Sequence, residues 1–435
     1  MTGKTTRSRR SIVGALTAVI VIGACGSSKS SSSASSVASG PVTVTVWHAN
    51  VDTAAKVMQE LADQFHAANP QVTVKVEQGA PGDQMLTKLS TVLSTDTFPD
   101  IAYVFGTDTP ALARSAKVVD LTSAVNDPSF GWSDFYEGER AVATVNRKVV
   151  GVPALVDNLA LVYNKKLFAD AGVPLPTKDW SWDDFRAAAK KLTSDADKVF
   201  GSAYPISGDE DTVWRFWPMV WQQGGKGIGD DGKTSTFDQP PFATALELLR
   251  AMAIDDKSLY VDSNSEAIGN LFAAGKVAML ITGPWALSTF VEGKIDYGVV
   301  AMPAFKGDHQ TVSGPDNWMV FDNGAARRAA AVKFLQFLTS PAGDAQWSVK
   351  LGNMPVRNAT QKSADWQDAL KATPGYQEFV DNFANSKTAR PQTVVYPDYS
   401  HALGEAIAAV LQGQAKVPDA LAAAKKSADA ALAGK

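Results

Sequence analysis

The sequence predicts an α/β fold, with sheets covered by helices on both faces. Three observations predict it. β-Branched runs with period-two spacing alternate with segments whose apolar residues recur at helical period. The chain has 435 residues, room for about two or three units at roughly 150 residues each. Apolar residues make up 45% and charged residues 20%, the balance of a chain that buries a core.

Residues 42–47 (VTVTVW) alternate as a strand, and residues 53–68 place Ala55, Met58, Leu61, Ala62 and Phe65 on one helical face. Strand 72–76 and helix 85–93 repeat the unit. Residues 100–105 (DIAYVF) form an apolar strand, after which Thr109 and Pro110 give a cap and a first-turn proline for another helix. Strand 160–163 is followed by helix 181–192, where Ser181 and Asp184 have capping-box spacing. Strand 277–281 leads through Gly283 and Pro284 into a helix, and strands 297–301 and 317–321 precede helix 325–338. Ala-rich helices 403–411 and 418–432 close the chain as a packed surface layer. No internal repeat is present.

The first 40 residues have a different character. Lys4, Arg7, Arg9 and Arg10 occur without an acid, and the apolar run 11–24 falls short of the roughly 18 residues needed to span a bilayer, so residues 1–24 read as a signal peptide. Ile22-Gly23-Ala24-Cys25 resembles the bacterial lipobox, in which the cysteine is diacylated and becomes the new N-terminus. Residues 25–41 then form the lipidated cysteine and a Ser-rich flexible tether. Ser8-Arg9-Arg10 also resembles a twin-arginine signal, which leaves the export route open.

Composition removes several function classes. With 41 basic and 45 acidic residues the net charge is −4, without long one-sign blocks, so nothing points to nucleic acid or to a membrane surface. One Cys and 4 His exclude a disulfide framework and disfavour a histidine-rich or multi-cysteine metal site, and no metal or cofactor is expected. Residues 227–234 (GIGDDGKT) fit the P-loop pattern, but they follow no apolar strand and open no helix, and two aspartates in the cradle would repel phosphate. They read as a hairpin turned by Asp231-Gly232. Neither a G-x-S-x-G nucleophile elbow nor an H-E-x-x-H helix occurs. The histidines are far apart, with His66 exposed late in its helix, and Asp183 with Asp184 read as a helix N-terminus, not a glycosidase pair.

In open α/β sheets, ligands bind beyond the carboxyl ends of strands. That rule selects residues 47–52, 106–109 and 282–285, each of which carries an aromatic residue or a carboxylate. The 11 Trp add weight to these segments, since scattered indoles are costly without use.

The stretches FHAANPQVTVKVE, FPDIAYV, GVPALVDNLALVYNKKLFADAGVPLP with WSWDDF, WPMVWQQGG, LFAAGKVAMLITGPWAL, YGVVAMPAFKG, TVSGPDNWMVF and LGNMPVR are spread over the chain from residue 42. In order and spacing they resemble the extracellular solute-binding proteins of sugar-importing ABC transporters, the group that includes maltose-binding protein. The resemblance implies a two-lobed periplasmic-binding-protein-like fold with hinge-connected α/β domains that close on a solute. It places the N-terminal lobe at 42–155 plus 305–356 and the C-terminal lobe at 156–304 plus 357–435, with crossings near Val156, near Ala304 and around 357–362. Trp47 matches an aromatic position after the first strand, Asp108 a carboxylate after PDI, and Asp157 an acidic position at the crossing. Trp217 and Trp285 match stacking aromatics, with Trp285 at the lip of the second lobe. Ala49 and Val51 replace polar positions of the maltose binder, and no basic residue follows Asp108, which argues against maltose itself.

A pyranose ring presents a C–H face that stacks on indole, while carboxylates and amides take its hydroxyls. The expected site therefore joins Trp47, Trp217, Trp221 and Trp285 with Asp108, Asp157, Asp316 and Asn317, and adds Trp318, Arg357 and Tyr399. Trp132 and Trp182 read as structural. The resemblance implies a monomeric, lipid-anchored receptor that binds a neutral sugar or oligosaccharide and hands it to ABC permease subunits, with the membrane met only through the anchor. A polyol or polyamine is the alternative solute within the binding class. A secreted carbohydrate-active hydrolase is the rival class.

Overall fold

The computed structural model describes residues 40–434 except 50, 51, 81 and 96. The signal segment, Cys25 with most of its tether, and Val51 lie outside the described residues. Among the described residues the strands are, in chain order, β1 (Val42–His48), β2 (Val72–Gln78), β3 (Ile101–Phe105), β4 (Thr144–Val145), β5 (Lys148–Val149) and β6 (Gly151–Asn158). They continue with β7 (Ala160–Asn164), β8 (Phe200–Pro205), β9 (Leu259–Asp262), β10 (Val277–Thr282), β11 (Tyr297–Val300) and β12 (Ser313–Val320). Two five-stranded mixed sheets result, ordered β2-β1-β3-β12-β6 and β11-β7-β10-β8-β9, with β4 and β5 as a separate hairpin.

The expected βα units form. In β1, Val44 and Val46 are fully buried, and the helix Asp52–Ala68 packs Met58, Leu61, Ala62 and Phe65 inward, as its period requires. Phe65 meets Phe334 edge-on at 5.2 Å, which seats the helix Ala325–Leu338 on the same layer. The helix Trp182–Leu192 opens with the expected capping box: Ser181 Oγ accepts the Asp184 N–H at 3.1 Å and the Asp184 carboxylate accepts the Ser181 N–H at 2.9 Å. In the 227–234 turn, the Asp231 carboxylate accepts the N–H groups of Lys233 and Thr234, so those donors are already taken.

Some elements were not foreseen. β6 is buried at all eight positions, so it has no polar alternation to read, and β8 and β9 were missed altogether. β12 starts at Ser313 and the late helix starts at Tyr396, both earlier than the expected 317 and 403.

The chain leaves the first sheet for the second across one residue, Leu159, between β6 and β7. Leu159 is fully buried, and both of its backbone groups are held: its N–H donates to Thr311 Oγ1 at 3.2 Å, and its carbonyl accepts the Thr311 hydroxyl at 2.7 Å. Asn382 adds a bond to the same carbonyl at 2.8 Å and another to Asn158 Oδ1 at 3.1 Å. Thr311 lies in the return segment between β11 and β12, so consecutive crossings are stitched together. Among the described residues no helix is long and apolar enough to cross a membrane.

Candidate functional site

β6 and β12 are antiparallel neighbours, with Asp157 opposite Gly314 and Leu155 opposite Asp316. Successive side chains of a strand point to opposite faces. Leu155, Asp157, Gly314 and Asp316 therefore line a cavity of about 470 Å³, while Val156, Ser313 and Pro315 line another of about 510 Å³ on the other face of the same strand pair. A groove of about 600 Å³ shares Phe105 and Glu210 with the first cavity and contains Asp108.

The second sheet supplies the wall of the 470 Å³ cavity. Trp285 stands in the turn Pro284–Ala286 directly after β10, and Trp214 ends the short helix Glu210–Trp214. Their rings lie 6.1 Å apart at 51°. Gly314 permits this packing, because a Cβ there would fall 2.1 Å from the Trp214 ring. The Arg390 guanidinium lies 5.1 Å from the same ring and donates to Glu210 at 2.7 Å, and Glu210 also accepts the Tyr396 hydroxyl at 3.0 Å. Arg215 pairs with Asp211.

Two carboxyls form the floor. Asp157 is 5% exposed, and its Oδ1 has no hydrogen-bond partner. Burial, reinforced by the nearby Asp316, pushes its carboxyl well above the usual range against the opposing N–H of Met354. Asp316 accepts the Tyr103 hydroxyl and, at 3.1 Å, the Gly106 N–H. Burial pushes Asp316 up to about 6, although the Tyr103 hydrogen bond and the Arg390 charge act against it. In the 510 Å³ cavity Glu139 Oε2 and Thr107 Oγ1 are likewise buried without partners, and burial holds Glu139 well above its ordinary range.

The structure thus brings Asp157, Trp285 and Asp316 together at one cavity and puts Asp108 in the adjoining groove. The other expected residues stand elsewhere. Trp47 donates to Glu77 at 3.0 Å under Lys88, on the side of β2 and the helix Gly82–Val92. Trp217 is fully buried: its indole N–H donates to Tyr396 at 3.0 Å, and its ring stacks between Trp221 and Tyr399. Tyr399 donates to the Gly227 carbonyl from inside that stack. Asn317 turns to Thr109 at 3.0 Å, and Trp318 packs between Tyr103 and Trp347, after a register shift at Asp316/Asn317. Arg357 is a core clamp: it donates to the carbonyls of Phe130 and Gly131 at 2.9 Å each and covers Phe135 at 3.7 Å. None of these seven, Trp221 included, lines the 470 Å³ cavity, where the sequence had placed them; each is engaged by the partners just described. Trp182 is buried on Gln222 as expected.

Trp214, Glu210 and Arg390 were missed. Pro218 begins a new helix, Trp217–Trp221, so Trp214 and Trp217 do not share a face. The available signal was the neighbourhood: Asp211 and Arg215 flank Trp214, whereas Met219 and Val220 follow Trp217.

Two α/β sheets joined by short crossings, with an indole wall facing a carboxylate floor beside the crossing, define a protein that holds a solute at the junction. The family model for bacterial extracellular solute-binding proteins matches residues 49–345, and the chain belongs to that family. The diacetylchitobiose-binding protein DasA of Streptomyces coelicolor is 27% identical over 374 residues, covering 83% of this chain and 84% of that protein. The crystal structure of the cyclic α-maltosyl-1,6-maltose-binding protein of Arthrobacter globiformis superposes with a TM-score of 0.73 at 28% identity, covering 91% of this chain and all of that one (100%). UgpB of Mycobacterium tuberculosis, solved with glycerophosphocholine, has a TM-score of 0.81 at 19% identity over 91% of this chain and 99% of that one, and shares the fold.

Proposed function

We propose that this protein captures a sugar or oligosaccharide between two lobes built on its two sheets and delivers it unchanged to the permease of an ABC importer. It acts as a receptor and makes or breaks no bond. Diacylated Cys25 holds it at the outer face of the cytoplasmic membrane. The observation that carries this reading is the wall of Trp214 and Trp285 over the floor of Asp157 and Asp316. Indole faces stack on the C–H face of a pyranose, and buried carboxyls take hydroxyl pairs in strong hydrogen bonds. The saccharide names of DasA and of the Arthrobacter globiformis protein support the same class.

A thermal-shift screen over mono-, di- and oligosaccharides tests it. A true ligand at 100 times its Kd adds about 2.7 kcal/mol of stability. Recovery of the ligand intact supports the receptor, whereas release of a cleaved product would overturn it in favour of a hydrolase.

A further inference from the structure

Asp157 and Asp316, 5% and 8% exposed, share the cavity floor without a counter-ion of their own. The basic side chains that line this cavity are already matched: Arg390 by Glu210, Arg215 by Asp211 and Lys350 by Glu60. Arg390 reaches Asp316 only as a charge shared with Glu210. A sugar hydroxyl would offer this floor a dipole, whereas an ammonium group offers a full compensating charge and up to three donors, one of which suits the unpartnered Asp157 Oδ1. An anionic solute would meet two uncompensated carboxyls and no free cation. We propose that the cavity selects a saccharide bearing a protonated amine, with the ammonium seated on Asp157 and Asp316 and the sugar ring against Trp214 and Trp285. This rests on the sugar-receptor reading and narrows it to amino sugars.

Among the described residues, the titratable groups whose charges act on Asp157 are Asp316 from β12, Glu139 from the helix Glu137–Val142, Tyr103 from β3 and Tyr376 from the helix Tyr376–Asn382, none of them basic; the bases that share its cavity, Arg390, Arg215 and Lys350, are paired as above. Burial raises both carboxyls, and an ammonium seated on them favours their ionised form, so binding is linked to loss of whatever proton they hold.

The test is calorimetric titration of the intact mature protein at pH 7, in phosphate and again in Tris, whose ionisation heats differ. The probes are glucosamine, galactosamine and the β-1,4 glucosamine disaccharide, the N-acetylated form of each, the matching neutral sugars, and spermidine. The expected result is an amine-bearing saccharide that binds at least about tenfold more tightly than its N-acetylated and neutral counterparts, with a buffer-dependent heat that reports proton release. Asp157→Asn should erase that preference, so that amine-bearing and neutral sugars bind alike, and Asp316→Asn serves as a second variant should the first misfold. Equal or tighter binding of a neutral or N-acetylated sugar overturns the amine inference and leaves the sugar reading intact. Binding of spermidine with no saccharide bound overturns both.

Discussion

Two tryptophans that look alike in sequence have opposite surroundings. Trp285 is half-buried at the cavity, and Trp217 is sealed in a stack of aromatic rings. Trp285→Ala should weaken ligand binding by about 2 kcal/mol or more, about 30-fold, with little change in the melting temperature of the empty protein. Trp217→Ala should instead lower that stability by about 3 to 5 kcal/mol. Titration and melting of both variants check the contrast; a fall in apo stability for Trp285→Ala as large as for Trp217→Ala would remove Trp285 from the site. Asp157 and Asp316 give a pH signature. Their carboxyls ionise later in the folded chain than in the unfolded one, so the folded state holds more protons and stability falls as pH rises. For Asp316 the fall begins near its unfolded pKa of about 4 and runs past about 6, worth roughly 3 kcal/mol, and Asp157 extends it upward. Asp157→Asn should flatten the decline of melting temperature between about pH 4 and 7, and a slope unchanged from wild type would refute the assignment. Trp285 was legible in the sequence because it follows a strand end, and Asp157 because it matches the family's acidic position at a crossing, whereas Asp316 stands in mid-strand and was named only as a polar partner beside Asn317. Trp214 and Arg390 were not legible, because their positions depend on a helix break and on a long return segment.

Strands with one wet face announce themselves by alternation, as β1 does. β6 hides because both of its faces are covered, by the cavities and by packed chain, so GVPALVDN reads as a connection. Yet β6 with β12 does most to shape the site, since its alternation sends Asp157 to one cavity and Val156 to the other. Gly314 is the permissive position of this pair. Gly314→Ala puts a methyl 2.1 Å from the Trp214 ring, which must move. The expected outcome is a loss of about 1 to 3 kcal/mol of stability together with weaker ligand binding, read by melting and titration. An unchanged affinity would show that Trp214 is no part of the ligand wall.

At the scale of the whole molecule, the fold class was readable because βα alternation runs through the ordered chain, and the resemblance put a crossing near Val156, three residues from Leu159, but the bonds that hold that crossing were not readable. No pattern of apolar spacing encodes which buried Thr or Asn will bond a particular carbonyl. Location in the cell is a separate proposal, which rests on the pattern of the first 25 residues. Cys25→Ser should leave the protein unacylated and move it from the membrane fraction to the soluble one, as fractionation and immunoblotting would show; retention in the membrane would exclude the anchor.

The single-residue link at Leu159 has a mechanical meaning. A trans peptide chain has only two soft torsions per residue, so one residue between two strands leaves almost no slack. Because Thr311 grips both backbone groups of Leu159, the outgoing and returning segments are joined like the paired leaves of one pin hinge and not laid side by side as separate cords. A pinned door meets the same jamb at every swing, so any swing of the two sheets about this link should keep Trp285 on one line of approach to the cavity that Asp157 also lines.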